Sequence, residues 1–259
     1  MPNIHPTAII EDGATLHDSV QVGPYSIIES GAEIGEGCII ESGARIFGAT
    51  RLGRFNRVCH GVVLGCEPQD LGYTPEQSKP LVIGDNNQFK EGVNISRGVK
   101  TDEGTRIGND NYFMCGFHAG HDCRFGDNNV FGPNTTIGGH VELGNMVFVS
   151  GLVAIHQFCL VGDNAMLAGC TKIVKDIPPF TTADGNPARI AGLNAIGLRR
   201  SGFDAASRSA IKRAYKVIYH SGLNTSQAIE QLRQGEPDEN TLRIIDFFET
   251  SERGVTAHR

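Results

Sequence analysis

With 259 residues the chain has ample material for one large domain or a domain with an appendage, but 33 glycines, no tryptophan and 7% aromatics suit many tight turns better than a bulky two-layer core. A formal net charge of −6 excludes a global positive field for nucleic acid or an anionic membrane, so any acidic partner has to meet a local basic patch. The seven cysteines (Cys38, Cys59, Cys66, Cys115, Cys123, Cys159 and Cys170) include no CxxC pair and do not fit a zinc ribbon or a disulfide-dense scaffold, which predicts reduced, buried thiols.

The segment Met1 to Ala8 lacks the basic stretch and apolar core of a signal peptide, and no window approaches the roughly 18 apolar residues of a membrane span. The sequence predicts a cytoplasmic protein without an integral membrane segment.

From Ile4 onward, every sixth residue is aliphatic: Ile10, Leu16, Val22, Ile28, Ile34, Ile40, Ile46, Leu52, Val58 and Leu64. The frame resumes at Ile83, Phe89 and Ile95, then runs from Ile107 to Ile173 with only the small Ala119 diluting it. A period of six fits neither an α-helix nor a long flat strand; it fits a short strand plus a turn, repeated. Three such units closing one triangular coil would stack like residues about 4.8 Å apart and pile the aliphatic side chains into internal ladders. So thin a prism accepts Ile, Val and Leu but leaves little room for large aromatics.

Residues 66–80 and 98–106 break the frame and are expected to leave the prism as loops, which are more often functional than decorative when long and ordered. The fold predicted is therefore all-β with an α tail: a parallel β-helix of hexapeptide repeats over residues 1–186 and a small C-terminal helical domain over 187–259. In that tail, Ile211, Ala214, Tyr215 and Ile218 recur at helical spacing within Asp204 to His220, with Asp204 as N-cap. Further helices are expected over Thr225 to Arg233 and Asp238 to Glu249.

The chemistry-bearing residues gather in the third run of repeats. With an eighteen-residue coil, positions 121, 139 and 157 fall in register, so His121, Gly139 with His140, and His156 with Gln157 form one column. Such a column offers a proton acceptor, backbone N–H donors beside glycine and polar side chains to orient a ligand. Asp122 is placed to hold the His121 imidazole in one tautomer, and His118 lies close by. No good nucleophile accompanies them, which favours direct attack by a bound hydroxyl or amine with His121 as general base.

Zinc is the competing use of these histidines, as in the carbonic anhydrases built on the same repeats. One coil step before His121 stands Glu103 and two steps before stands Asp85, with no third histidine, so neither a metal nor another cofactor is expected. In the tail, Arg208, Lys212 and Lys216 follow one helix face with Arg213 beside them, a solvated face or a docking surface for something acidic such as a carrier protein or nucleotide phosphates.

Taken together, these features resemble the UDP-N-acetylglucosamine O-acyltransferase family, the first enzymes of lipid A synthesis in Gram-negative bacteria. The resemblance covers nearly the whole chain and rests on Asn3 to Ile9, His121-Asp122-Cys123, Val153 to Cys159 with its His156-Gln157-Phe158-Cys159 segment, Asp176 to Pro179, and Gly185-Asn186-Pro187. It implies a left-handed β-helix, a homotrimer with sites between subunits, a 3-hydroxyacyl donor on acyl carrier protein and a UDP-sugar acceptor acylated at the glucosamine 3-position, without metal. It further implies His121 as base, Asp122 as its partner and Gly139 as oxyanion donor. Asp70, His118, His140, His156 and Gln157 would contact substrate, Asn194 and Arg200 the nucleotide, and Gly169 would limit acyl length. The sequence departs from the family pattern at Gly72, Ser96, Ile196 and Ser201. A 3-amino sugar acceptor and, on the same prism, a short-chain acetyl transfer from coenzyme A are the alternative chemistries.

Overall fold

The structure, a computed structural model, describes residues 1–259. Each six-residue unit folds as a short strand and a turn, and successive strands join three sheets of 11, 9 and 8 strands, parallel but for the last strand of the first. Ile4 pairs with Val22 and Val22 with Ile40 in the first sheet, Ile10 with Ile28 in the second, and Leu16 with Ile34 in the third, so the eighteen-residue coil is as the periodicity predicts. The aliphatic member of each pair of strand residues points inward and its neighbour outward. Val22 through Ile173 of the frame are buried, whereas Ile4, with no coil beneath it, is 37% exposed.

The interior departs from the expectation of a purely aliphatic prism. Phe89, Phe113 and Phe131 stack through successive coils, with Phe113 and Phe131 centroids 4.7 Å apart and 4° from parallel. Phe117 and Phe125 tilt against them. The coil that carries Phe113 and Phe125 carries Ala119 on its third side, so a small residue makes room for two large ones.

Turns at one corner are fixed by an internal asparagine ladder, in which Asn87, Asn111 and Asn129 each donate a backbone N–H to the side-chain oxygen of the asparagine one coil below, at 2.8, 2.9 and 2.9 Å. These buried amides satisfy backbone groups that would otherwise be unpaired.

Both frame breaks are loops. The first leaves after Cys66 and returns at Leu81; the second spans residues 97–104, since Thr105 and Arg106 already lie in the next strand. Their extra length stretches the local register, so that Leu52 pairs with Ile83 and Ile83 with Ile107. The two loops are laced together: Lys79 N–H donates to Gly98 O, and Thr105 N–H to Pro80 O, both at 3.0 Å.

Sheet structure runs past the expected limit at residue 186. Thr181–Gly185 adds parallel to Met166–Leu167, and Ala188–Leu193 returns antiparallel to it, because Gly185, at φ 108°, lets the chain reverse. Four helices follow: α1 (Ala195–Arg200), α2 (Ala205–His220), α3 (Thr225–Gln234) and α4 (Glu239–Thr250). Asn194, Asp204, Asn224 and Asp238 cap them in turn. The predicted face of α2, Ile211, Ala214, Tyr215 and Ile218, is buried against Phe180, Leu198, Ile229 and Ile244. Tyr215 Oη donates to Pro179 O at 2.6 Å, and the buried Asp176 accepts from Leu160 N and Ser251 Oγ at 2.8 and 2.6 Å, which fastens the helices to the last coil.

Candidate active site

The turns that carry 121, 139 and 157 stack at the corner between the second and third sheets. His140 N–H donates to His121 O at 2.9 Å and Phe158 N–H to Gly139 O at 3.1 Å. Asp122, His140 and Phe158 occupy the same left-handed position in successive coils, with φ of 58°, 59° and 66°. That conformation recurs at turns throughout the solenoid, and aspartate and histidine adopt it more readily than most side chains.

His121 Nδ1 lies 2.8 Å from Asp122 Oδ2, and the Asp122 side chain is wholly buried. An ionised carboxylate accepts only, so Nδ1 carries the proton and Nε2 is left bare. Nε2 faces Gly139, where a Cβ would lie 3.0 Å from it and crowd the ring. The Gly139 N–H donates to no group of this chain. A base and an unpaired N–H donor thus lie side by side. The His140 ring stands edge-on to His121 at 5.1 Å and stacks on Phe158 at 4.6 Å.

Burial on its own would push the Asp122 carboxyl up, but hydrogen bonds from His121, Thr101 and Lys100 outweigh it and hold the group well below the usual carboxylate range. Burial lowers both His118 and His140, the latter partly offset by Asp122. His118 Nδ1 bonds Asn94 Oδ1 at 2.8 Å on the outer face of the second sheet. The Cys123 thiol, buried beneath this corner, is pushed up to about 12 and has no nucleophilic form available near neutrality.

Asp70 reaches this corner from the first loop. Its carboxyl is held low first by the Gly72 N–H at 2.8 Å, then by the charges of Lys100 and His121. Lys100 Nζ is 3.7 Å from Asp70, so the cation on this carboxylate comes from the second loop in a chain that has glycine at 72. Ser96 is fully buried beside Cys66 and does not reach the surface. Sequence reasoning missed Lys100 and Thr101; the frame break at 98–106 was the available signal.

The remaining candidates lie one coil higher on this corner, at another corner or in the tail. His156 and Gln157 are exposed one coil above Gly139, and the His156 ring bonds the Gln157 carbonyl. At Gly169 a Cβ would meet Gly151 O at 3.5 Å and Ser150 Cβ at 4.0 Å, ordinary contacts that leave room for a side chain. Asn194 is engaged as the α1 cap and as a donor to Asn164 O at 2.9 Å; Arg200 is exposed at the far end of α1. On α2, Lys212, Arg213 and Lys216 are exposed with no ion-pair partner, whereas Arg208 is half-buried and donates to Phe203 O. Lys212 and Lys216 rim a cavity of about 620 Å³ between α2, the Thr181–Leu193 hairpin and His258.

The stacked acidic positions weighed for a metal do not join His121. The lengthened coils carry Asp85 to another corner, where it pairs with Arg54, and Glu103 turns to Arg124. His121, Asp122 and His140 do present ligand atoms within 4.8 Å of one another, but the Asp122 oxygens and His121 Nδ1 are engaged with protein partners.

A solenoid of six-residue repeats with a carboxylate-oriented histidine beside a free N–H on one corner defines a hexapeptide-repeat transferase, and a family model described as bacterial transferase hexapeptide (six repeats) matches residues 13–48. A second, Udp N-acetylglucosamine O-acyltransferase, Domain 2, matches residues 176–256. The chain is 42% identical, over 98% of its length and 99% of the relative's, to the acyl-acyl-carrier-protein–UDP-N-acetylglucosamine O-acyltransferase of Paraburkholderia phymatum. Among solved structures it is similar to the UDP-N-acetylglucosamine acyltransferase from Campylobacter jejuni, with TM-score 0.94 and 37% identity over 99% of this chain and 100% of that one. The Acinetobacter baumannii structure gives TM-score 0.93 and 38% identity over 98% and 99%. The chain belongs to the UDP-N-acetylglucosamine O-acyltransferase family.

Proposed function

We infer that this enzyme transfers a 3-hydroxyacyl chain from acyl carrier protein to the glucosamine 3-hydroxyl of UDP-N-acetylglucosamine, the opening step of lipid A biosynthesis, and that it does so as a homotrimer. The observation that carries the reading is the bare His121 Nε2 beside the unpaired Gly139 N–H. Nε2 takes the proton of the 3-hydroxyl as its oxygen attacks the thioester carbonyl. The tetrahedral oxyanion is met by the Gly139 N–H. Collapse expels the carrier's thiolate, which leaves as thiol with the proton that His121 returns. Asp122 keeps the imidazole in the productive tautomer throughout.

Asp70, His118, His140, His156 and Gln157 surround this corner as substrate contacts, Gly169 bounds the acyl groove, and Asn194 and Arg200 of the helical tail meet the nucleotide. Lys212, Arg213 and Lys216 supply the positive face for an acidic carrier protein. The trimer reading is supported by an outward ladder on the first sheet, Tyr112, Val130, Phe148 and Met166 in successive coils, with Phe148 42% exposed. A cytoplasmic site of action fits seven free cysteines, of which Cys115 and Cys170 are exposed rather than buried as expected, and no helix is long and apolar enough to cross a membrane.

Mass spectrometry of products tests the reading. Purified protein offered UDP-N-acetylglucosamine, its 3-amino analogue and a panel of 3-hydroxyacyl carrier proteins is expected to yield the 3-O-ester. A product formed only on the amino sugar would change the acceptor, and a product formed only from a short-chain coenzyme A thioester would overturn the donor.

A further inference from the structure

The second loop ends at a single point. From Val99 to Thr101, three consecutive backbone N–H groups turn toward Asp122: Val99 at 3.1 and 3.2 Å, Lys100 at 3.0 and 3.2 Å, and Thr101 at 3.0 Å. Successive N–H groups aimed at one anion form a nest, here filled by the protein's own carboxylate. Thr101 Oγ1 adds the one side-chain donor other than His121, at 2.9 Å from Oδ1. From the other side Thr105 Oγ1 accepts the Asp122 N–H at 2.8 Å. The loop's neck is closed where Gly98 and Gly104 approach so tightly that a Cβ on Gly98 would lie 2.3 Å from Gly104 Cα.

We propose that Thr101 is a positioning residue, and the 97–104 loop a clamp, that keeps Asp122 ionised and thereby holds His121 with its proton on Nδ1. The inference rests on the reading of His121 as general base. A carboxylate with no exposed surface reverts toward the neutral acid unless donors compensate, and a neutral Asp122 would no longer require the proton on Nδ1. A backbone donor can be deleted only by proline, which would also refix the loop, so the Thr101 hydroxyl is the accessible point of the clamp. The ionisable groups facing His121 are Asp122 on its own turn, Asp70 and Lys100 from the two loops, and His140 one coil above.

The test compares Thr101→Val, which keeps shape and removes the donor, with Thr101→Ser, which keeps the donor. In Thr101→Val, kcat is expected to fall about tenfold with KM little changed, as for loss of one hydrogen bond to a charged group. A more neutral Asp122 stabilises the His121 imidazolium less, so the acid limb of kcat should move downward by roughly half a pH unit. Nitrogen NMR of His121, assigned with His121→Gln, should show the single tautomer giving way to a mixture, and Thr101→Ser should restore all three readouts. Unchanged tautomer and acid limb in Thr101→Val would overturn the proposal, as would a fall in kcat that tracks a lowered Tm and is not restored by serine. A changed tautomer with unchanged kcat would uphold the clamp and remove His121 as the base.

Discussion

The histidines around Asp122 differ in what burial does to them. Burial lowers His118 and His140 in the folded chain, whereas an unfolded histidine titrates near 6.5. Between those folded values and about 6.5 the unfolded chain binds protons that the folded one refuses, so stability rises with pH through that window. It is fully present above about 6.5 and is lost as pH falls toward the folded values. Asp122, held far lower, gives up its contribution only at more acidic pH. Melting curves taken from neutral pH downward should therefore show a falling Tm, and His118→Asn should flatten the dependence. An equal slope in the variant would mean that the burial of His118 does not resist protonation.

At the scale of elements, α2 offers a prediction that separates docking from packing. Reversing charge at Lys212 and Lys216 should raise KM for the acyl carrier protein about tenfold at low salt, with the penalty shrinking as salt is added and with the UDP-sugar KM unchanged. Arg208→Ala should instead lower Tm, because its guanidinium is turned onto the Phe203 carbonyl. A carrier KM that ignores salt would return Lys212 and Lys216 to a solvated face. The same elements mark how far the sequence could be read. Six-residue periodicity is local, so the ladders from Val22 to Ile173 and the α2 face were legible from spacing alone. The hairpin at 181–193 was not, since its pairing depends on a chain reversal at Gly185. The Asp122 clamp was also hidden, because Thr101 reaches it from outside the repeat. Counting eighteen residues back across the loops put Asp85 and Glu103 beneath His121; the longer coils move both away.

For the whole molecule, the outward ladder of Tyr112, Val130, Phe148 and Met166 is apolar surface in a protein of net charge −6, and a second subunit would cover it. Sedimentation should give three times the chain mass, and Phe148→Asp should lower both assembly and turnover. A fully active monomer would contradict a site shared between subunits. Turnover depends on one proton transfer, and kcat of His121→Ala measures it most directly. With UDP-N-acetylglucosamine and a 3-hydroxyacyl carrier protein as substrates, kcat should fall at least about 10²-fold while sedimentation and Tm match the parent, since general-base assistance contributes roughly 10² to 10⁴. Near-normal kcat in a protein with unchanged Tm would contradict it, and the base would then have to be sought at His140 or His156.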